Sequence, residues 1–154
     1  MPLDTRLTDV IGLIDTLVND FGGKADLYVI AQHMDADLDD LIPNLNAAAY
    51  LGLVTVNEGD VSVTDLGLKF LRAKIPERRR MLRDMLSRLE PFKTAIELGS
   101  NGPFTLDTLI SALAAKGYTE FRAPGTRELL AILLSEWGAY AGFIKKRGDE
   151  YIVT

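Results

Sequence analysis

Twice along the chain, apolar residues at helical spacing give way to a short stretch in which apolar residues alternate. The first switch follows Gly52, where 53–56 and 61–63 read as the two strands of a hairpin. The second switch gives 141–145 and 151–153 the same character. Because the period of a helix and the period of a strand cannot be satisfied together, each switch predicts a small hairpin that closes a helical unit.

The apolar residues before each switch recur every three or four positions, which predicts three helices in each half. The predicted helices span 5–21, 26–34 and 39–51 in the first half, and 76–98, 104–117 and 124–137 in the second. Gly22 is expected to end the first helix, and Asp26 is expected to cap the second. A further short helix follows the first hairpin, capped by Thr64 or Asp65.

Two prolines limit these helices, because proline has no N–H to donate inside a helix. Pro43 is expected only within the first turn of its helix, and Pro91 predicts a kink or two shorter helices in 76–98. The third helix is expected to bury Leu41, Ile42, Leu45, Ala48 and Ala49.

Three helices followed by a hairpin is the order of a winged helix, a variant of the helix-turn-helix. We therefore predict a mainly α fold with small β-hairpins (α+β), in which tandem winged-helix-like halves are joined by a long, kinked helix. The predicted divisions are a winged-helix-like unit over 1–74, a connecting helix over 75–98 and a second winged-helix-like unit over 99–154.

Composition excludes several classes of protein. The chain has 154 residues and no cysteine, so disulfides, zinc–thiolate sites and thiol catalysis are excluded. No apolar run approaches the roughly 20 residues that span a bilayer. We expect a cytoplasmic protein without direct membrane insertion.

Catalytic and cofactor-binding motifs are absent from the sequence. The single histidine, His33, has no HxxxH or cysteine partner and is expected to be an ordinary side chain. Neither a P-loop nor a G-x-S-x-G elbow occurs. The acidic run 35–40 lacks the glycine and the glutamate of a calcium loop. We therefore predict a non-enzymatic protein with no cofactor and no metal site.

Charge is distributed unevenly along the chain. Residues 25–68 contain no lysine or arginine, whereas 69–93 contain nine of them against three acids. Such asymmetry indicates an interaction surface, and its candidate residues are Arg78, Arg79, Arg80, Arg83, Asp39 and Asp40. The alternative is that the basic helix pairs with the acidic segment inside the chain.

The charge of the third helix argues against DNA binding. In winged helices that read DNA, this helix presents cations or amides to the major groove. Here Asp39 and Asp40 stand near its leading end, where they would repel phosphate, so nucleic acid is less favoured than a protein partner. If nucleic acid binds, the candidate contacts are Arg122, Arg127, Lys145, Lys146 and Arg147.

The predicted long helix carries an apolar stripe with a period near seven. Leu82, Leu89 and Ile96 define this stripe, with Met85 and Phe92 between them. Such a stripe suits a coiled-coil seam between two chains, which would give a homodimer. It equally suits a helix that packs onto both winged halves.

Several short motifs together resemble the C-terminal AAA-associated domain family. They are L-D-D-L-I-P at 38–43, A-A-A-Y-L-G-L-V at 47–54, G-D-V-S-V-T-D-L-G at 59–67 and E-R-R-R at 77–80. The resemblance is strongest over 26–97, where a helix interrupted at Pro91 follows the arginines.

This resemblance implies an accessory domain found downstream of ATP-binding-cassette ATPases of nitrate/sulfonate/bicarbonate-type transporters. It implies a cytoplasmic location and no catalytic residues. The expected partner is an ATP-binding-cassette ATPase domain, in cis or in trans, and the expected function is regulation or protein interaction. A DNA-binding, winged-helix transcription regulator is the alternative.

Overall fold

The computed structural model describes residues 5–154, and these divide into two compact units. The first unit covers 5–78 of the described chain, and the second covers Arg79–Thr154. Each unit is mainly helical and contains one small three-stranded antiparallel sheet. The predicted mainly α fold with small β-hairpins is therefore confirmed. The division into 1–74, 75–98 and 99–154 stays a prediction.

The first unit combines helices with the strands of one sheet. Its elements are α1 (Leu7–Phe21), β1 (Lys24–Asp26), α2 (Leu27–His33), α3 (Leu38–Tyr50), β2 (Val54–Asn57), β3 (Asp60–Val63) and α4 (Asp65–Arg72). A further helix, α5 (Ile75–Leu86), begins in this unit and ends in the second. The sheet has the order β1-β3-β2, so Val61 in the middle strand lies opposite both Ala25 and Val56.

Local signals in the sequence set most of these boundaries. Gly22 follows α1 in the left-handed conformation, with φ of 68°, and ends that helix as predicted. The N–H of Tyr28 donates to Asp26 Oδ2 at 2.9 Å, and the N–H of Gly67 donates to Thr64 Oγ1 at 3.0 Å. These bonds confirm the cap of α2 and select Thr64 as the cap of α4. The strand β1 is not predicted, because three residues are too few to show alternation.

The third helix departs from two expectations. Pro43 is the sixth residue of α3, so the expectation of a first-turn proline was wrong. Ile42 and Ala49 are exposed, so the expectation of burial was wrong for both. Each follows a buried residue by one position, which places it about 100° further around the helix. The buried side of α3 consists of Leu41, Leu45, Ala47 and Ala48.

The core of the first unit is built around α1, which contacts α3, α4 and the sheet. Gly67 in α4 lies very close to the chain that leads into β2. A Cβ atom at Gly67 would lie 2.2 Å from the carbonyl oxygen of Leu53 and 2.8 Å from Cγ2 of Val63. Only glycine therefore lets α4 approach the hairpin this closely. The α1 side chains with no exposed surface are Val10, Leu13, Ile14 and Leu17.

The second unit repeats the alternation of helices with one sheet. After α5, its elements are α6 (Phe92–Gly99), β4 (Phe104–Thr105), α7 (Leu106–Ala115), a 3-10 turn (Glu120–Arg122), α8 (Thr126–Leu133), a π-helical segment (Leu134–Gly138), α9 (Ala139–Ala141), β5 (Ile144–Arg147) and β6 (Glu150–Val153). The sheet has the order β4-β6-β5 and is antiparallel throughout.

The helix expected over 76–98 is two helices, α5 and α6, which agrees with the break expected at Pro91. The carboxylate of Glu90 accepts the N–H of Thr94 at 2.9 Å and its hydroxyl at 2.8 Å, so the break supplies a partner for the first turn of α6. The stripe expected to form a seam is interrupted there, and Leu82 and Phe92 are fully buried inside the second unit. A homodimer stays a prediction.

A polar cluster joins α6 to the end of α7. Lys116 Nζ lies 2.7 Å from Glu97 Oε2, 2.8 Å from Thr94 Oγ1 and 3.5 Å from Glu90 Oε2. The hydrogen bond between Lys116 and Glu97 lowers the pKa of Glu97 and raises the pKa of Lys116. The contribution of Glu97 to stability is thus present at neutral pH and lost as pH falls through its lowered pKa, and that of Lys116 is lost only as pH rises through its raised pKa.

The same side-chain hydrogen bond ties the hairpin of each unit to the end of the preceding helix. In the first unit, Thr64 Oγ1 donates to the carbonyl of Gly52 at 2.6 Å. In the second, Thr154 Oγ1 donates to the carbonyl of Gly142 at 3.0 Å. The sheet orders also match between the units. This part of the architecture therefore recurs between the two units.

The contact at Gly67 predicts opposite effects for two glycine-to-alanine substitutions. Gly67→Ala is expected to lower the free energy of unfolding by about 2 to 3 kcal/mol, because the new Cβ collides with backbone. Gly12→Ala in α1 is the matched control, since nothing lies within 4 Å of a Cβ there. It is expected to raise stability by up to about 1 kcal/mol through helix propensity. Urea unfolding followed by circular dichroism measures both, and a stabilising Gly67→Ala would contradict the packing argument.

Candidate interaction surfaces

Five residues on one side of α3 are exposed. They are Asp39, Ile42, Asn46, Ala49 and Tyr50. At 3.6 residues per turn they lie within an arc of about 100°, and we call this surface the α3 face. Ile42 is 39% exposed and Tyr50 is 61% exposed. The α3 face therefore presents an aliphatic and an aromatic side chain to solvent, with a carboxylate at its leading end.

No cation lies on the α3 face or on the hairpin that follows it. The contacting strand β2 adds Val56, which is 46% exposed, and the turn after it adds the exposed Glu58. Because residues 25–68 contain no lysine or arginine, the nearby charges on these elements are negative. The surface is thus apolar with an acidic margin, which does not suit a phosphate backbone.

The two acidic candidates, Asp39 and Asp40, do not share a surface. Successive residues of a helix point about 100° apart, so Asp39 belongs to the α3 face and Asp40 points away from it. Asp40 instead lines a recess of about 240 Å³ against α1, together with Thr8, Asp9 and Met34. Of the two, Asp39 accompanies the exposed apolar side chains.

The first arginine of the candidate cluster is used within its own unit. Arg78 Nε donates to the carbonyl of Phe70 at 3.1 Å, and Nη2 donates to the carbonyl of Leu71 at 2.6 Å. Its guanidinium carbon also lies 5.3 Å from the centre of the Phe70 ring. Carbonyls in the last turn of a helix have no intrahelical donor, so Arg78 caps the C-terminus of α4.

Two further arginines of the cluster belong to the second unit and are used within it. Arg79 Nε donates to the carbonyl of Tyr140 at 2.5 Å, and its guanidinium carbon lies 5.9 Å from that ring. Arg83 Nη2 donates to the carbonyl of Thr154 at 2.7 Å and lies over the ring of Phe143. These bonds fix α5 against the elements around the second hairpin.

Arg80 differs from its neighbours. It is exposed and makes no hydrogen bond or ion pair with any residue in the described range 5–154. Of the four arginines in the candidate cluster, Arg80 is therefore the one whose charge is left to solvent or to another molecule.

The five cations that are candidate nucleic-acid contacts do not form one surface. On β5, Lys145 and Arg147 point to one side of the strand and Lys146 to the other, because side chains alternate along a strand. Lys146 and Arg127 line the same cleft, where Arg127 donates to the carboxylate of Asp107. Arg122 is exposed in the 3-10 turn.

The single histidine is paired with an acid. His33 Nε2 lies 2.9 Å from Asp20 Oδ2, and the imidazole packs edge-on against Phe21 with ring centres 4.9 Å apart. No group of three or more histidine, cysteine, aspartate or glutamate residues within 5–154 is arranged to hold a metal ion. Among the same residues, no helix combines the length and the apolar character needed to cross a bilayer.

The arginine contacts predict unequal effects on stability along the cluster. Arg78→Ala is expected to lower the free energy of unfolding by about 2 kcal/mol, because two carbonyls at the end of α4 lose a charged donor. Arg80→Ala is the matched control and is expected to change stability by less than about 0.5 kcal/mol. Urea unfolding of the two variants measures this difference. Equal losses would contradict the separation of structural from free arginines.

The comparisons with known proteins agree with the motifs in the sequence. Residues 28–147 match the family model described as the C-terminal AAA-associated domain. No curated protein and no solved structure matches the chain. The matched region runs from α2 through β5, so it contains the first hairpin in full and the first strand of the second hairpin. The family resemblance is confirmed, and this chain belongs to the C-terminal AAA-associated domain family.

Proposed function

We propose that this protein is a non-enzymatic regulatory or protein-interaction module that docks on an ATP-binding-cassette transporter ATPase, in cis or in trans. Membership of a family associated with AAA ATPases supports the type of partner. The composition of the α3 face carries the proposal, because it exposes Ile42 and Tyr50 where a DNA reader needs cations. We propose a cytoplasmic location for this role, where such ATPases bind ATP.

Each unit is proposed to be a winged-helix variant. In both, a helix and a short strand are followed by further helical segments and a hairpin, and the short strand pairs with the second strand of the hairpin. In this arrangement α3 takes the place of the recognition helix of a helix-turn-helix. The proposed docking surface therefore uses the position from which related folds contact DNA.

The chemistry of the α3 face limits the partner surface that fits it. Tyrosine is enriched among the residues that dominate binding energy at protein interfaces, because its ring buries a large area at little cost in side-chain entropy. The partner surface is expected to offer a recess for Tyr50 and basic groups opposite Asp39 and Glu58. Such charge complementarity raises the rate of association and selects the orientation of docking.

The distribution of charge argues against DNA binding. The α3 face has no cation, and Arg127 in the second unit is already paired with Asp107. Docking on an ATPase accounts for the exposed apolar groups, which contact with a phosphate backbone would leave unused.

Binding to a purified ATP-binding-cassette ATPase from the same cell tests the proposal directly. The 154-residue protein is expected to bind this ATPase and to change its rate of ATP hydrolysis. Tyr50→Ala is expected to weaken binding at least about tenfold, as truncation of a central aromatic anchor does. Isothermal titration calorimetry gives the affinity, and phosphate release gives the rate.

Tyr118→Ala is the matched control, because Tyr118 is 40% exposed but lies in the second unit. It is expected to bind like the unmodified protein. An equal loss in both variants would mean that the α3 face is not the docking surface. Failure of the unmodified protein to bind or to affect any ATPase of this class would contradict the proposed function itself.

A further inference from the structure

A cleft in the second unit lies between the start of α7, the start of α8 and the second hairpin. Its volume is about 510 Å³, within the roughly 300–1,000 Å³ typical of small-ligand sites. The residues that line it are Thr105, Leu106, Asp107, Arg127, Lys146, Asp149 and Tyr151. Most of these are polar, so the cleft is suited to a polar or charged ligand.

Tyr151 leaves a polar group unsatisfied at this cleft. The residue is only 1% exposed, and its hydroxyl is buried without a hydrogen-bond partner among residues 5–154. Its ring stacks on Phe104, which holds the side chain in place. Buried hydroxyls in folded proteins nearly always have a partner, because an unpaired one keeps the full penalty of losing water. This orphaned group therefore points to a ligand that supplies the missing bond.

The Tyr151 hydroxyl is a donor at physiological pH. Burial raises the pKa of Tyr151, while the nearby Ser135 hydroxyl and the charge of Arg127 act in the opposite direction. Ser135 is close enough to act on the phenol but does not reach hydrogen-bonding geometry with it. It belongs to the π-helical segment Leu134–Gly138, and such segments occur frequently at functional sites. A neutral phenol has an O–H to donate, so an acceptor oxygen would satisfy this group.

Several other groups at the cleft are donors as well. Arg127 and Lys146 contribute cationic side chains. The first N–H groups of α7, at Leu106 and Asp107, have no intrahelical acceptor. The Thr105 hydroxyl accepts the N–H of Thr108 at 3.2 Å and shares a second hydrogen bond, of 3.1 Å, with the Thr108 hydroxyl. A ligand that brings acceptor oxygens with negative charge would satisfy all of these groups.

The position of Asp107 shows that a carboxylate fits beside Arg127. Its carboxylate accepts a hydrogen bond from Arg127, yet its side chain is 78% exposed and can turn out to solvent. An exposed ion pair of this type is worth little, so a better-placed carboxylate can replace it. Asp149 also lines the cleft, and its carboxylate partly offsets the charge of the two cations.

We propose that this cleft is a binding site for a carboxylate, which displaces Asp107 from Arg127 and accepts the hydrogen bond of the Tyr151 hydroxyl. The carboxylate belongs either to a small organic acid or to an acidic side chain of another protein, and the chemistry is the same in both. The site is separate from the proposed docking of the α3 face, because it lies in the other unit.

Titration of the full chain with succinate, followed by amide chemical shifts in NMR, tests the site. The largest shifts are expected at 105–107 and at Lys146. Arg127→Gln and Tyr151→Phe are each expected to weaken binding about tenfold, since each removes one hydrogen bond to a charged group. Asp107→Asn is expected to tighten binding about threefold, because it removes the internal competitor.

Arg122→Gln is the matched control for charge, since Arg122 is an exposed arginine of the same unit that does not line the cleft. It is expected to bind succinate like the unmodified protein. A parallel titration with a capped peptide containing one glutamate separates the two sources of carboxylate. Binding of succinate alone assigns the site to a small acid, and binding of the peptide alone assigns it to a partner protein. Binding of neither overturns the proposal.

The thermal stability of Tyr151→Phe is a second measurement, and it would change if the hydroxyl served to stabilise the fold. Because the hydroxyl has no partner in the part of the chain that the structure describes, its removal is expected to leave the unfolding midpoint unchanged or higher. A lower midpoint together with unchanged succinate affinity would mean that the hydroxyl serves folding only. Inorganic phosphate is expected to bind more weakly than succinate, and equal or tighter binding of phosphate would contradict a carboxylate site.

Discussion

The arrangement of the first unit depends on the hydrogen bond from the Thr64 hydroxyl to the carbonyl of Gly52. This bond ties the end of the hairpin to the end of α3, while the N–H of Gly67 donates back to the same hydroxyl and starts α4. Since Gly67 also lies against Leu53, three elements meet at one small region of backbone. The orientation of the α3 face relative to β2 depends on this junction, and Thr154 makes the corresponding bond in the second unit.

Much of the fold follows from local signals in the sequence. Helical spacing, the caps at Asp26 and Thr64 and the break at Pro91 each act over a few residues, so they can be recognised without knowledge of the fold. The strands β1 and β4 escape notice, because two or three residues carry no pattern and exist only through pairing with a distant strand. The π-helical segment has no signature in the sequence either, since it depends on how neighbouring residues pack.

The sites were less accessible to prediction than the fold. Charge alone groups the arginines of α5 together, but three of them find backbone carbonyls that become available only when helices and hairpins have formed. Ile42 was expected in the core, because an isoleucine on an amphipathic helix usually is, and its exposure is what gives the α3 face its character. Tyr151 fits the apolar alternation of a strand, and nothing in its neighbours along the chain reveals that its hydroxyl lacks a partner among the described residues.

The α3 face lies within the long stretch from Ala25 to Leu68 that has no basic residue. Trypsin cuts after lysine and arginine, so it would release this stretch as one large peptide that ends at Lys69. Amine-directed crosslinkers have no side chain in it to modify. Reagents for carboxylates or phenols, which react at Asp39 and Tyr50, are therefore the ones that report on this surface, and a lysine-based footprint of a complex would leave it blank.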